Sequence, residues 1–382
     1  NGIDLAGKGG LIWNKARSIQ QDNYLVDTAR GNGSIIYSNQ TQGADTGVTQ
    51  GVTAFSSSGY SLGTAAAVNQ ANQTYASWTF RKAPGFFDVV TYTGNGSNRT
   101  IAHSLGSVPG TIIVKRTDAA GDWQVYHRSL ANTEYMVLNS TAAKATGGTR
   151  WNSTTPTSTV FSLGTDETVN ASGGTYVAYL FAHDAQLFGD GGNQSVIKCG
   201  SYTGNGSASG PTIDLGWEPQ WVFIKCASRT SGGSTFGGSG IIMDSMRGIV
   251  AGTGTKTLAA DETNAESTEN NIDIELTPTG FKLTSDGLFG NASGGTYIYI
   301  AIRRGPMKTP TDATSIFAIN SAAFYAANEV VNTQFAPDIS INKSRTLTQD
   351  WYLPSRLTAG YLIPNATGAE TAGVWKWDGV GG

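Results

Sequence analysis

The residue types that carry acid–base and metal chemistry are scarce in this sequence. It contains three histidines, His103, His127 and His183, and they show no HxxxH or HExxH spacing. Two adjacent carboxylate pairs occur, Asp166–Glu167 and Asp261–Glu262. A glycosidase needs two carboxyl groups that face each other across a cleft, whereas sequence neighbours on a strand or turn point apart. We therefore expect no catalytic residues, no metal site and no bound cofactor.

Charge and cysteine content exclude further classes of function. The formal net charge is −3, and no Lys/Arg block offers an electrostatic footprint for nucleic acid. No apolar run approaches the roughly 20 residues that cross a bilayer, so no membrane insertion is expected. Two cysteines, Cys199 and Cys226, are too few for a disulfide framework. They are interpreted as two free buried thiols, with a local disulfide between them as the alternative.

One polar set recurs along the chain and is the strongest candidate for a binding site. Four apolar runs end in a lysine, at Lys15, Lys115, Lys225 and Lys343. An aspartate lies seven residues beyond three of these lysines, at Asp22, Asp122 and Asp350. An arginine follows in every copy, at Arg30, Arg128, Arg247 and Arg356. Trp123 and Trp351 directly follow two of the aspartates. These tryptophans are either stacking platforms for a glycan or packing residues of a sheet. Recurrence favours packing, because repeats share a fold more reliably than a ligand.

The recurring set belongs to an internal repeat. YTGNGS occurs at 92–97 and 202–207, and NASGGTY occurs at 170–176 and 291–297. The repeat divides the chain into four copies: an incomplete copy 1 (1–86), copy 2 (87–190), copy 3 (191–306) and an incomplete copy 4 (307–382). Copy 1 lacks the YTGNGS opening and copy 4 lacks a closing strand, so we expect the chain to be part of a longer polypeptide.

Composition and pattern predict short strands rather than helices. Glycine accounts for 50 of 382 residues and charged residues for only 14%, which is typical of strands joined by many turns. The β-branched run Thr111–Lys115 indicates a strand buried on both faces, and Trp123–His127 alternates. We predict an all-β chain of tandem antiparallel β-sandwiches. Since each full copy is long enough to own a core, the copies are expected to follow one another like beads on a string.

The quoted motifs, together with the DW, YHRSL and FSLG segments of copy 2 and the stretch YIYIAIRRGPMKTPTDAT at 297–314, support a resemblance. They resemble repeats in large virion proteins of marine tailed bacteriophages, including cyanophages. The resemblance implies a lectin-like jelly-roll fold and a non-enzymatic structural protein of tail-fibre or surface-appendage type. It also implies assembly in the host cytoplasm, a place on the particle surface, other virion proteins as partners, a homo-oligomer with a trimer favoured, and host surface glycan as a ligand.

A second class of function fits the same residues. A secreted bacterial adhesin, or a carbohydrate-binding repeat array attached to an enzyme, is also built from repeated β-sandwiches. An active depolymerase is the third and least favoured interpretation, given the scattered histidines and the unpaired carboxylates. A virion protein is expected to be a symmetric oligomer, whereas an adhesin is expected to be monomeric and to carry sorting segments.

Overall fold

The computed structural model describes residues 2–189, 191–231, 234–249, 254–268, 272–305, 319, 337–355 and 360–372. Over these residues the chain is all-β, as predicted: every paired strand is antiparallel, and the helices are single turns of four residues. The sheets follow the division of the sequence into copies.

Copy 1 forms a five-stranded sheet and a two-stranded sheet. Its elements are α1 (Leu5–Lys8), β1 (Gly10–Ala16), β2 (Tyr24–Asp27), β3 (Ser34–Tyr37), β4 (Asp45–Thr46), β5 (Val52–Ser56), β6 (Gly59–Leu62), α2 (Ala66–Asn69) and β7 (Tyr75–Arg81). The long sheet has the order β4-β3-β2-β1-β7, and β5 pairs with β6.

Copy 2 adds an opening strand to this arrangement. Its elements are β8 (Phe87–Thr93), β9 (Arg99–Ala102), β10 (Pro109–Arg116), β11 (Gln124–His127), β12 (Glu134–Val137), β13 (Ala145–Thr146), α3 (Gly148–Trp151), β14 (Val160–Leu163), α4 (Glu167–Asn170) and β15 (Thr175–Ala182). The long sheet has the order β13-β12-β11-β10-β15-β8, and β14 pairs with β9.

Copy 3 has the same central strands and a larger second sheet. Its elements are β16 (Ile197–Thr203), β17 (Thr212–Asp214), β18 (Pro219–Ser231), β19 (Ser234–Phe236), β20 (Gly240–Asp244), β21 (Leu258–Ala259), β22 (Ile274–Thr277), β23 (Gly280–Leu283) and β24 (Thr296–Arg303). The long sheet has the order β16-β24-β18-β20-β21, with β19 on β18, and the second sheet has the order β17-β23-β22. In copy 4, β25 (Leu353–Pro354), β26 (Gly360–Leu362) and β27 (Thr371–Ala372) form a small sheet.

The strand that carries the recurring lysine lies in the interior of each long sheet. We call β1, β10 and β18 the lysine strands, and each is flanked by the last strand of its own copy, β7, β15 or β24. The pairing register is the same each time: Lys15 opposite Ala76, Lys115 opposite Val177 and Lys225 opposite Ile298. The three lysine strands therefore share one pairing register with their neighbouring strands.

Both faces of a lysine strand are buried, each against a different layer. In β1, Ile12 packs into a cluster with the second sheet of copy 1, whereas Leu11 and Trp13 belong to a larger cluster. In β18, Trp221 and Phe223 join that same larger cluster. Alternation of side chains along a strand directs one face to the copy's own second sheet and the other to the neighbouring copies.

The larger cluster joins the first three copies into one body. Phe80 of copy 1 contacts Phe181 of copy 2 with ring centroids 5.5 Å apart, and it contacts Trp221 of copy 3 at 5.6 Å. The expectation of separate cores arranged like beads is therefore wrong for copies 1 to 3. A copy of this length is able to own a core, but its lysine strand is apolar on a second face, and that face must also be covered.

Candidate functional site

The three lysines of the lysine strands are buried almost completely. Lys15 and Lys115 are 0% exposed, and Lys225 is 1% exposed. Burial lowers the pKa of each from 10.5 to about 8, although nearby aspartates act in the opposite direction. At pH 7 each side chain is therefore an ammonium group that needs hydrogen-bond acceptors inside the protein.

The acceptors of Lys115 come from two copies. Its Nζ donates to the backbone oxygens of Arg116 (3.0 Å) and Gly121 (2.9 Å) in its own hairpin. It also donates to the backbone oxygen of Thr41 in copy 1, at 3.0 Å. Hydrogen bonds from a charged donor are stronger than those between neutral groups, so this ammonium links copy 2 firmly to copy 1.

Lys15 makes the corresponding link from copy 1 to copy 3. Its Nζ donates to Gln21 O in its own hairpin at 2.9 Å. It also donates to Thr263 O (2.9 Å) and Asn264 O (2.8 Å), both in copy 3. Gln21 and Gly121 each lie six residues beyond their lysine, so the contact within the hairpin is the same in the two copies.

Lys225 makes the third link, from copy 3 to copy 2. Its Nζ donates to Gly238 O within copy 3 at 2.8 Å and to Ser140 O of copy 2 at 2.6 Å. The lysine of copy 2 thus donates a hydrogen bond to copy 1, the lysine of copy 1 donates to copy 3, and the lysine of copy 3 donates to copy 2. We call this closed circuit the lysine ring. A head-to-tail contact that closes after three units is the geometry of a threefold assembly, here made within a single chain.

The recurring aspartate supports the loop that reaches the neighbouring copy. Asn139 donates from Nδ2 to Asp122 Oδ1 (2.9 Å) and accepts at Oδ1 from the backbone N–H of Trp123 (2.9 Å). The same pair of hydrogen bonds is made by Asp22, Asn39 and Asn23 in copy 1 and by Asp350, Asn365 and Trp351 in copy 4. In all three copies this aspartate anchors a loop asparagine.

Trp123 lies inside the junction between copies 2 and 1. Its side chain is 0% exposed, its indole Nε1 donates to Tyr37 O of copy 1 at 3.0 Å, and its ring stacks on Tyr179 at 6.2 Å. A sugar cannot reach this ring, so the glycan-stacking interpretation of Trp123 is wrong. At the same position in copy 1, Asn23 donates from Nδ2 to two backbone oxygens of copy 3, those of Ala259 and Glu262, each at 3.0 Å.

Copy 4 repeats the geometry of the lysine hairpin with its side chains exposed. Lys343 donates to the backbone oxygen of Gln349, six residues further on. The pairing of Asn342 with Tyr352 matches that of Asn14 with Tyr24 in copy 1. Trp351 is 44% exposed, and Lys343 Nζ lies 5.7 Å from its ring centroid. Of the two candidate stacking tryptophans, only Trp351 is accessible to a ligand.

A second polar layer also joins neighbouring copies. Asp27, fully buried in copy 1, accepts from Arg30 Nε at 2.6 Å and from the hydroxyl of Tyr179 in copy 2 at 2.8 Å. Arg30 in turn donates to the Tyr179 hydroxyl at 3.3 Å. An aspartate bound to both an arginine and a tyrosine at a junction satisfies its charge without water.

The other two junctions use different residues at the position of Asp27. Asp244 in copy 3 accepts from Arg247 Nε at 2.6 Å and from Trp78 Nε1 of copy 1 at 2.9 Å. Burial alone would raise the pKa of Asp244, but Arg247 holds it below its ordinary value. His127 in copy 2 faces Tyr299 O of copy 3 at 3.2 Å, and burial lowers its pKa to about 4. This imidazole is neutral at pH 7.

The structure revises the proposed equivalence of the arginines. Arg30 and Arg247 each lie three residues beyond a buried aspartate that they bind. Arg128 directly follows His127 and is exposed, so it does not occupy the position of Arg30. Arg356 lies outside the described residues. Arg30 and Arg247 follow the end of the preceding strand by three residues and Arg128 by one, so the order of the arginines along the chain does not show which of them are equivalent.

The remaining candidate residues are dispersed. Cys199 lies in the cluster shared by the copies and Cys226 in the core of copy 3, and both are buried free thiols, so the alternative of a disulfide is not realised. Among the described residues no group of three or more His, Cys, Asp or Glu side chains is placed to hold a metal ion.

The adjacent carboxylate pairs are engaged in local structure. Asp166 caps α4 by accepting from Thr168 N at 2.9 Å, and it forms an ion pair with Arg150 at 3.1 Å. Asp261 accepts from Gly240 N at 3.1 Å, and burial raises its pKa despite nearby Lys225. The two pairs lie in different copies and do not form one acid–base site.

Sequence reasoning missed the partner of the YTGNGS turn. Asn170, fully buried, donates from Nδ2 to Ser97 O and Gly164 O, both at 2.7 Å, and accepts at Oδ1 from Asn95 N at 3.0 Å. In copy 3 the same contacts are made by Asn291 with Ser207, Ser285 and Asn205. We call this arrangement the asparagine clamp. The signal was present, because YTGNGS and NASGGTY recur together in the same two copies.

Comparison with known proteins identifies a family but no activity. A family model described as a domain of unknown function, DUF7483, matches residues 3–306. No curated protein matches the chain. In the part of the chain that the structure describes, no helix is long and apolar enough to span a membrane.

Proposed function

Since the chain belongs to the DUF7483 family, whose description names no function, we propose that it is a non-enzymatic structural protein of a bacteriophage virion, of tail-fibre or surface-appendage type. The observation that carries the proposal is the lysine ring. Three buried ammonium groups, each bound by backbone oxygens of two copies, join copies 1 to 3 into one body. A body whose parts are joined by buried hydrogen bonds is suited to a structural role on an extracellular particle. The resemblance of the repeat motifs to phage virion proteins supports the same role.

The sandwich architecture of the individual copies is part of the same proposal. In copies 2 and 3 a long sheet is accompanied by a short sheet built from strands of the same copy, β14 with β9 and β23 with β17. We assign these copies to tandem lectin-like jelly-roll sandwiches with the boundaries 87–190 and 191–306. We assign copy 1 (1–86) and copy 4 (307–382) to the same unit.

Copy 4 supports assembly into a homotrimer. Its exposed Trp351 and Lys343 are equivalent to Trp123 and Lys115, whose side chains donate hydrogen bonds across the junction between copies 2 and 1. It also carries an acceptor half, because Ile363 O accepts from Ala366 N as Tyr37 O accepts from Gln40 N. A unit with both halves closes a ring with two identical units. Copy 4 from three chains would therefore reproduce the ring that copies 1 to 3 make within one chain.

Oligomeric state tests this assembly directly. Native mass spectrometry of the 382-residue chain should give a trimer, and Trp351→Ala should shift it to the monomer. Leu288→Ala is the matched control, because Leu288 is a comparably exposed apolar residue in copy 3 and its loss should leave the trimer intact. A monomeric wild-type chain would contradict the trimer and favour the secreted adhesin.

The virion role requires a test on particles. Antibodies raised against residues 2–305 should label purified phage particles at the tail or capsid surface in electron micrographs, and should leave uninfected host cells unlabelled. Labelling of uninfected bacterial cells would instead identify the adhesin. The non-enzymatic part is tested with host polysaccharide: cleavage that is abolished by a single Asp or Glu substitution would overturn it. Binding of intact host glycan by the assembled chain would support the attachment role.

A further inference from the structure

A backbone hydrogen bond repeats beside the lysine ring at all three junctions between copies 1 to 3. In each copy, the residue two positions beyond the ring lysine accepts at its backbone oxygen from a loop of a neighbouring copy. The three hydrogen bonds run from Ala44 N to Thr117 O (2.7 Å), from Lys144 N to Ala227 O (2.7 Å) and from Glu266 N to Arg17 O (2.8 Å). The two residues of each pair therefore face each other across a junction.

Two positions in each copy define these pairs. We call the residue two positions beyond the lysine the hairpin position, and it is Arg17, Thr117 or Ala227. A loop residue of each copy accepts at Oδ1 from a backbone N–H of the lysine hairpin: Asn39, Asn139 and Asp261. The residue five positions beyond it is the loop position, and it is Ala44, Lys144 or Glu266. The spacing is therefore the same in all three copies.

The pair at the junction of copies 3 and 1 is an ion pair. Arg17 Nε donates to Glu266 Oε2 at 2.8 Å, and Arg17 Nη2 donates to Glu266 Oε1 at 3.0 Å. The two side chains are only 14% and 9% exposed. A bidentate pair of arginine and carboxylate adds directional specificity to its energy. At the other two junctions the same positions hold no pair of opposite charges.

Copy 4 carries both members of this ion pair. Arg345 lies two positions beyond Lys343 and occupies the hairpin position. Asn365 accepts at Oδ1 from the backbone N–H of Trp351 at 3.0 Å, and Glu370 lies five positions further on, at the loop position. Both Arg345 and Glu370 are exposed. One unit therefore presents a positive hairpin and a negative loop, at the two positions that meet across a junction.

We propose that in an assembly of three chains Arg345 of each chain forms a bidentate ion pair with Glu370 of the next chain. The partner at the exposed lysine hairpin of copy 4 is thus a second copy of this chain. The inference rests on the homotrimer proposed above and names the contact that selects its members. Each junction has the ion pair that Arg17 and Glu266 make once within copies 1 to 3. Three such junctions close head to tail, because each unit supplies one arginine and one glutamate.

Charge also selects against the wrong partners for copy 4. The loop position of copy 2 is Lys144, which would repel Arg345, and that of copy 1 is Ala44, which has no charge. The loop position of copy 3 is Glu266, which is already bound by an arginine of copy 1. Specificity of this kind depends on repulsion as well as on attraction. Arg345 therefore finds its match in Glu370 of another chain.

Charge reversal tests the contact in the 382-residue chain. Arg345→Glu and Glu370→Arg each place like charges at all three junctions, so either change should convert the trimer to monomer in native mass spectrometry. The double reversal Arg345→Glu/Glu370→Arg exchanges the two charges and should restore the trimer. Arg81→Glu is the matched control, because it reverses an exposed arginine of copy 1 and should leave the trimer intact. The neutral variant Arg345→Gln should raise the chain concentration at half-assembly by about tenfold or more.

A mixture of the two single reversals tests the threefold closure. Arg345→Glu chains are acidic at both positions, and Glu370→Arg chains are basic at both. In a ring of three, at least two chains of the same kind are neighbours, so one junction always holds like charges and the equal mixture should not recover the wild-type trimer. In a twofold dimer every contact would instead join opposite charges. A mixture that assembles as well as the wild type would therefore contradict the threefold contact.

The outcomes separate this contact from the proposed trimer. A monomeric wild-type chain would contradict both. A trimer that persists in both single reversals would leave the trimer standing and show that the ion pair is wrong. Single reversals that dissociate, with a double reversal that does not reassemble, would show that the two residues do not pair with each other. Far-ultraviolet circular dichroism should be the same in all variants, because both residues are exposed and their replacement leaves the fold of copy 4 unchanged.

Discussion

The lysine ring predicts that one buried ammonium group contributes a large share of the stability of the body formed by copies 1 to 3. The decisive substitution is Lys115→Met, which keeps the length and apolar stem of the side chain and removes its charge and its donors. Three backbone oxygens, those of Thr41, Arg116 and Gly121, would lose their hydrogen-bond donor in a site that excludes water.

The magnitude follows from two opposing effects. Each hydrogen bond from a charged donor contributes about 1.5–3 kcal/mol, so three of them contribute about 5–9 kcal/mol. Methionine removes the cost of burying the charge, which the lowered pKa of Lys115 reveals and which amounts to several kcal/mol. We expect a net loss on the order of 3 kcal/mol in the free energy of unfolding. That loss is large beside the total of about 5–15 kcal/mol typical of a folded domain.

Urea denaturation at pH 7, followed by tryptophan fluorescence and by circular dichroism, measures this loss. Lys8→Met is the control, because Lys8 is an exposed lysine of copy 1 outside the junctions, so its change should stay within about 0.5 kcal/mol. Because copies 1 to 3 share a core, residues 2–305 should unfold in one transition in both variants. Equal small losses in the two variants would refute the buried role of Lys115. Separate transitions for individual copies would refute the shared body.

Two further predictions follow from the same junctions. Trp123→Ala should cost about 3–5 kcal/mol, the usual range for a buried aromatic residue, whereas Leu288→Ala at an exposed position should change the unfolding free energy by less than about 0.5 kcal/mol, as thermal and urea unfolding of the two variants will show. Between about pH 8 and pH 10 the protein should become more stable, because the unfolded chain then binds more protons than the folded chain, whose three buried lysines have pKa values of about 8. Above about pH 10 the trend should reverse, since buried tyrosines such as Tyr24, with a pKa of about 12, resist ionisation only in the folded state. Urea midpoints that fall steadily from pH 8 to pH 10 would contradict the lysine part.

Local patterns predicted local structure well. The β-branched run at Thr111–Lys115 is part of β10, which is buried on both faces, and the alternation at 123–127 leads into β11. These features depend on side chains a few residues apart, and the period of a strand makes them visible in the sequence. The packing interpretation of Trp123 also depended on its neighbourhood, and the residue is buried.

Contacts between copies were invisible to the same reasoning. Lys15 reaches acceptors about 250 positions away, and those acceptors are backbone oxygens, which any residue type carries. The composition of a loop such as 263–264 therefore holds no trace of the contact. The lysine strands themselves carried a usable signal, because a strand that is apolar on both faces must pack against a separate layer on each face. The asparagine clamp could have been found from the joint recurrence of its two motifs.

Placing three copies in one chain allows the junctions to differ in a way that a symmetric trimer does not. Asp27, His127 and Asp244 stand opposite equivalent positions of the lysine strands, yet the first and third bind an arginine and the second is a neutral imidazole. In a homotrimer one substitution would change all three junctions at once, and each variant would have to satisfy its buried polar groups three times over. In a single chain each junction is free to vary alone, and the covalent link keeps the three copies at a high effective concentration.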